Sequence, residues 1–331
     1  MRVAALLIIA ALSLSACANH QVVPASSAFS QEAQLYAAAS VAGHFTGEYP
    51  ISRITFEVLR GGDGNIWFPE GNGTRNGGFG RLTPGGVLTE WAMPLAGLTR
   101  FATLAPDGNI WFCLAYTQSG GYLGSITPAG SITLHPLPTT GPRFVTVGPD
   151  GNLWYTDDNN MIGRYSFDGS VTTFEVPTSN SGLRGITTGP DGNLWFIESA
   201  ANQIGRLTTS GNFTEYSVPS AGGSLSVIDG KMWFIPNSGN YFGRISTGGH
   251  YSQVAVPGYP GGVTKGSNGR LWFSLQDTNA IGSMTANGKR IQTYAVPTPN
   301  VNPVGGAFGS DGRFYFTEPL ATQPAIGVFQ P

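Results

Sequence analysis

The sequence predicts an all-β fold, a seven-bladed β-propeller of four-stranded antiparallel blades. Three observations carry this: two motifs that each recur seven times in step, and a composition suited to short strands and tight turns. The first motif is Asp-Gly-Asn, an apolar residue and Trp, or a close variant. Its copies begin at Asp63, Asp107, Asp150, Asp191, Asp229, Asn268 and Asp311, with gaps of 44, 43, 41, 38, 39 and 43 residues. A period of about 40 to 45 residues is that of a four-stranded propeller blade. The second motif is Ile-Gly-Arg in its commonest form, with its glycine at Gly80, Gly124, Gly163, Gly205, Gly243, Gly282 and Gly327. Of 331 residues only 11% are charged, while Gly supplies 48 and Pro 23, a balance that favours turns over helices. The formal net charge of -2 leaves no basic stripe of the kind nucleic acid requires.

The fourth repeat shows how each element follows from its residues. Residues 184–188 read as a short strand, A. Gly189-Pro190-Asp191-Gly192 reads as a turn, because Pro presets φ and Gly accepts the positive φ that closes it. Residues 193–198 form strand B, whose Leu194-Trp195-Phe196 is apolar without alternation, as in a strand buried on both faces. The motif tryptophans are therefore core. Residues 203–208 form strand C, where a glycine permits close approach, expected here to admit the neighbouring blade's Trp. Thr209-Ser210-Gly211 turns the chain into strand D, 212–218, which Pro219 ends.

Ring closure is legible too. The seventh copy stops after its strand C, whereas His44-Phe45-Thr46-Gly47-Glu48-Tyr49-Pro50 resembles the D strand Phe213-Thr214-Glu215-Tyr216. Residues 44–51 are thus expected to pair with the C-terminal hairpin, which removes the open edges of the array.

Residues 1–16 carry Arg2, an apolar run from Val3 to Leu12 and then small residues, the pattern of an export signal. Leu14-Ser15-Ala16-Cys17 resembles a bacterial lipobox, which implies cleavage before Cys17 and lipidation of its thiol. Residues 17–43 are expected to be a tether, and 44–331 the propeller. The chain would then be exported and anchored to a membrane through its lipid, at the outer membrane in a host that has two. With Cys17 lipidated, Cys113 is left as the lone thiol and no intrachain disulfide is available. A monomer is expected.

From residue 44 onward the repeats resemble the streptogramin B (virginiamycin B) lyases, built of seven Asp-Gly-apolar-Trp-Phe-Thr-Glu and Ile-Gly-Arg repeats. The resemblance implies a seven-bladed propeller that linearises a cyclic depsipeptide by elimination. It further implies Mg2+ held by glutamates and a general-base His in a segment entering strand A, typically after Gly-Pro. This chain departs there: the segment in the third blade is Gly141-Pro142-Arg143. The same register, eleven residues before the motif aromatic, holds Arg100 and Arg184 in blades 2 and 4, Gly261 in blade 6 and Val304 in blade 7. The four histidines are His20, His44, His135 and His250, none of them at that position. An arginine does not release its proton at neutral pH, so the base that the resemblance implies has no candidate there.

Acids persist three residues after the motif aromatic, as Glu70, Asp157, Glu198 and Glu318. Strand A begins where strand B ends, so these acids and Arg100, Arg143 and Arg184 are expected to share one mouth of the central channel. Within-blade pairing would join Arg143 to Asp157 and Arg184 to Glu198. Arg100 has Leu114 at the acid position of its own blade, which leaves Glu70 of the neighbouring blade as its partner. An arginine half-ring suits an anionic or carbonyl-rich ligand through forked hydrogen bonds.

The first reading is therefore a lipid-anchored binding module with this architecture, without the implied catalytic His and without a cofactor. The alternative is an enzyme, either a divergent C-O lyase or another metal-assisted enzyme at the channel mouth, for which Mg2+ would be needed. A third class, the ligand-sensing propeller of membrane signalling proteins, would need a signalling domain that this sequence does not show.

Overall fold

A computed structural model describes residues 43–71 and 76–331. Seven four-stranded antiparallel sheets follow one another around a ring. The innermost strands of successive blades pack against each other, the last against the first, so the ring is closed. The seventh sheet has the order Val304–Phe308, Phe314–Glu318, Ala325–Gln330 and, outermost, His44–Pro50. The N-terminal strand pairs with Ala325–Gln330 from His44↔Gln330 to Pro50↔Ala325, as the D-strand likeness predicted. The expected signal peptide, Cys17 and the tether lie outside the described residues.

Blade 4 comprises Leu183–Thr188, Leu194–Glu198, Gln203–Leu207 and Phe213–Ser217, close to the strands read from the sequence. Its strand B is buried along its whole length. In four copies the motif aspartate accepts the indole N–H of the motif Trp, at 3.0 Å for Asp63, Asp107 and Asp150 and 2.9 Å for Asp191. The same side chain caps the backbone N–H two residues on, as Asp150 does for Asn152. The motif is thus one hydrogen-bonded unit: a turn that closes itself and pins the indole it precedes.

The strand-C glycine does something other than admit the neighbour's Trp. It makes room for the ring that follows the motif aromatic in the same blade: a Cβ on Gly205 would stand 2.0 Å from Phe196 Cζ, and one on Gly243 2.3 Å from Phe234 Cζ. The pairings Phe196↔Gly205 and Phe234↔Gly243 set these rings directly across the ladder. Because Phe196 is sealed in the core, Gly205→Ala is expected to cost about 3 kcal/mol, the upper end for overpacking. Urea unfolding measures this; a loss below about 0.5 kcal/mol would mean that the ring moves aside freely.

Candidate functional site

In six blades the pairing of strand A with strand B breaks at one place. The register shifts between Thr99 and Ala102, Pro142 and Val145, Leu183 and Ile186, Gly222 and Leu225, Pro260 and Gly262, and Val304 and Ala307. Such a bulge leaves its residues unpaired and re-aims their side chains. Arg100, Arg143 and Arg184 all sit in these gaps. Strand A is the innermost strand, so the bulge points them into the channel mouth from three successive blades.

The predicted partners are not the ones they find. Arg143 Nη1 donates to Asp158 Oδ1 at 2.8 Å, not to Asp157, and Arg100 Nη1 reaches Asp158 Oδ2 at 2.9 Å, not Glu70. Arg184 has no carboxylate partner among the described residues; its Nε reaches Ser199 Oγ at 3.4 Å. Asp158 begins the tight B–C turn of blade 3 and also accepts the hydroxyl of Tyr116. Burial would raise its pKa, but Arg100 above all, then Tyr116 and Arg143, hold it below the usual carboxylate range. Tyr116 comes from an extended blade-2 hairpin, Ile110–Thr117 and Gly120–Ile126, and takes a positive φ of 55°. That strained conformation in a bulky residue turns its ring under Arg100, whose Cζ lies 5.0 Å from the ring centre.

Two guanidiniums thus share one carboxylate, and a third lies beside them. Burial, followed by repulsion from Arg143, lowers the Arg184 pKa to about 10, and burial also lowers that of Arg143. The rest of the mouth is apolar or bare. The register holds Phe56 in blade 1, 38% exposed, with Gly261 and Val304 opposite, while Phe101 and Phe144 stack at 3.7 Å just inside Arg100 and Arg143. Glu57 accepts the Ala102 N–H at 2.8 Å. Burial raises its pKa to about 8, which works against a negative charge there.

The four acids predicted for the mouth are elsewhere. A strand side chain stands perpendicular to its sheet, so the last residue of strand B lies over its own blade and not in the channel. Glu70 meets Arg53 at 3.1 Å and Glu90 of its strand D. Glu198 adjoins Glu215 of strand D, and Glu318 adjoins Glu48. Asp157 accepts the hydroxyl of Thr139 and the N–H of Asn159. All four are at most 2% exposed. Among the described residues Glu70 Oε1 and Glu318 Oε2 meet no donor, and Glu198 has the Ser181 hydroxyl beside it. Burial first, and then the neighbouring glutamate, raise Glu198 and Glu318 to about 8 and Glu70 to about 9.

Magnesium, which the resemblance implies, does not fit this set of donors. Burial raises the pKa of Glu70, Glu198 and Glu318, the arginines oppose a cation, and no three His, Cys, Asp or Glu converge among the described residues. Nor does any described histidine stand at the mouth. His44 is in the closing strand, His250 in an outer turn, and His135 stacks on Trp111 at 4.8 Å while its Nδ1 meets the Tyr165 hydroxyl at 3.1 Å. His20 lies outside the described residues. Burial pushes the Cys113 thiol up, which keeps it an unreactive core residue.

The fold and the seven motif pairs can now be set beside known proteins. The model of the Virginiamycin B lyase family matches residues 38–228 and 141–329. The chain belongs to the virginiamycin B lyase family. A solved streptogramin B lyase is 30% identical, with 87% of this chain and 97% of that one covered at a TM-score of 0.76. The virginiamycin B lyase of Staphylococcus aureus is 29% identical over 87% and 99% of the two chains, also at 0.76. The WD40 propeller of Doa1, at 10% identity, 87% and 97% coverage and a TM-score of 0.69, shares the fold alone. A search of curated proteins gives no match. As a virginiamycin B lyase family member, the chain keeps the blade and presents arginine in the bulges.

Asp158, Tyr116, Glu57 and Phe56 are the site residues that sequence reasoning missed. For Asp158 a signal existed: Asp157-Asp158 is the one doubled acid at the end of a strand B. Tyr116 carries none, since only the folded hairpin brings it to Asp158.

Proposed function

We propose that this protein is a lipid-anchored, extracytoplasmic propeller that binds an anionic ligand at the channel mouth and does not open streptogramin rings. One observation carries the reading: Arg100 and Arg143 share the single carboxylate of Asp158, and Arg184 stands beside them on Ser199, which leaves two positive charges unmatched. A cationic excess in a partly dry concavity is what a carboxylate or phosphate group needs. The apolar half formed by Phe56 and Val304 suits a ligand with an apolar body beside its anionic group. Arg100 and Arg143 would share the ligand with Asp158, and Arg184 would contribute the free guanidinium. Anchoring through Cys17 rests on the lipobox alone.

Family membership argues for elimination chemistry, and the mouth argues against it. The histidine that the family resemblance implies is replaced there by arginine, which stays protonated at neutral pH, and Tyr116 is tied to Asp158. Purified residues 18–331 are therefore expected to leave a streptogramin B ring intact in the presence of Mg2+, as followed by mass spectrometry. Ring opening that disappears when Glu198 or Glu318 is replaced would sink the binding reading. Conversely, if citrate and phosphate shift the melting temperature of the protein equally with and without Arg100→Ala, Arg143→Ala and Arg184→Ala combined, the arginines form only a structural collar.

A further inference from the structure

The repeats supply their own controls for a second site, on the face opposite the arginine mouth. In blade 3 the motif aspartate is a bridge: Asp150 accepts Trp154 Nε1 at 3.0 Å with one oxygen and Arg164 Nε at 2.6 Å with the other. Asp191 does the same in blade 4, for Trp195 at 2.9 Å and Arg206 at 2.7 Å. Each carboxylate joins the indole of strand B to the strand-C guanidinium paired across from it.

Blade 5 keeps both donors and lacks the bridge. Trp233 pairs with Arg244 just as Trp195 pairs with Arg206, and Arg244 Cζ lies 5.1 Å from the ring centre. The difference is the A–B turn. Between Gly222–Ile228 and Lys231–Ile235 only Asp229 and Gly230 remain, at φ of 48° and 74°, a two-residue hairpin of the primed type. In blade 4 five residues separate Thr188 from Leu194. The short turn carries Asp229 away from the indole, and it pairs with Lys265. Trp233, 2% exposed, is left without an acceptor, and Arg244 makes no hydrogen bond or ion pair among the described residues, its Nε buried and unpartnered. A buried donor left in that state costs about 1 to 3 kcal/mol.

These two donors line an open crevice of about 320 Å³ between blades 5 and 6, together with Lys231, Ala286 and Asn287. The Asn287 carbonyl oxygen already accepts Thr285 Oγ1 at 2.6 Å, so its amide nitrogen is left to donate. Blade 6 marks the contrast. Trp272 also lacks an acceptor, but Ser283 stands across from it where blades 1, 3, 4 and 5 have Arg, and the nearby Arg270 is already engaged, donating to Ser283 Oγ at 3.1 Å and to the Arg290 carbonyl at 2.8 Å.

We propose that the crevice between blades 5 and 6 binds a carboxylate, in the place that Asp150 and Asp191 hold in their own blades. The indole N–H of Trp233 and the guanidinium of Arg244 are its donors, and Lys231 adds a second positive charge. A carboxylate fits better than a phosphate, because the template in the sister blades is a two-oxygen fork and Asp229 at the rim disfavours a second negative charge.

The seven tryptophans give the readout. With indole nitrogens labelled and Trp233 assigned through Trp233→Phe, acetate is titrated at constant ionic strength against chloride and observed by NMR. The Trp233 indole signal is expected to move saturably, and Arg244→Ala is expected to weaken that response at least tenfold. A second variant guards against misfolding of the first: replacing Asp229-Gly230 by a Gly-Pro-Asp-Gly-Asn turn, as in blade 4, restores an internal carboxylate and is expected to abolish the acetate response in a folded protein. The proposal is overturned if all indole signals drift together, if Arg244→Ala titrates like the parent chain, if the restored turn leaves the response unchanged, or if phosphate binds while acetate does not.

Discussion

Arg184→Ala is expected to weaken the binding of a probe anion such as citrate by roughly 10- to 150-fold, the equivalent of one charge-assisted hydrogen bond of about 1.5 to 3 kcal/mol. It is also expected to leave the unliganded protein at least as stable as before. The two effects have one cause. Arg184 has a long contact to Ser199 and no carboxylate partner among the described residues, and burial together with Arg143 and Arg100 works against its charge. Removing that charge relieves repulsion in the free protein and takes away the donor an anion would use. Arg143→Ala differs, because Arg143 and Arg100 share Asp158 and its loss leaves that carboxylate half-neutralised. Isothermal titration with citrate, paired with urea unfolding of the free proteins, separates the two. Unchanged affinity with lowered stability would make Arg184 a structural residue and remove the anion site with it.

Stability is expected to fall as the pH rises from about 5 to about 9, contrary to the behaviour of a protein held by ionised carboxylates. Glu57, Glu198 and Glu318 are raised to about 8 and Glu70 to about 9 in the fold, burial being the first cause in each. Their carboxyls in the unfolded chain titrate near 4.5. Between those values the folded protein holds protons that the unfolded chain releases. The stabilisation is therefore fully present below about 4.5, declines through neutrality and is gone once the pH passes the folded values. Each such group contributes at most about 1.4 kcal/mol per pH unit across that window. Asp150, Asp191 and Asp311 act in the opposite sense. Burial would raise them, but hydrogen bonds from the motif aromatic and its neighbours hold them below the usual range, so their contribution is lost only in acid, below about pH 4. The urea midpoint should peak near pH 4 to 5. Glu198→Gln, which keeps the shape and cannot ionise, should flatten the decline. A midpoint constant from pH 5 to 9, with Glu198→Gln merely destabilising, would show that Glu198 is ionised in the fold.

The blade was legible because each of its signals is local. Asp150 can be matched to Trp154, and Gly151 to its turn, within five residues. The closing strand was legible because His44–Pro50 copies the pattern of other D strands. The acids went astray because the sequence says where a residue stands along a strand, not which way the pleat turns it. Glu198 ends strand B at the height of the mouth, yet it faces Glu215. The strand-C glycines were misassigned for a related reason: Gly205 lies across from Phe196 in the hairpin ladder, nearer than any ring of the adjoining blade.

By itself the sequence determined the number of blades, the order of their strands, the strand that shuts the ring and the presence of arginine where the family resemblance implies histidine. All of these are periodic or nearest-neighbour properties, fixed by turn chemistry and by the burial of strand B. Only the tertiary structure decided what the arginines meet. Closing the ring brings bulges from blades 2, 3 and 4 and a hairpin tip from blade 2 around one turn of blade 3. Asp158 is chosen there because the bulge aims side chains off the sheet, and because a buried guanidinium takes whichever carboxylate the ring delivers within hydrogen-bond reach.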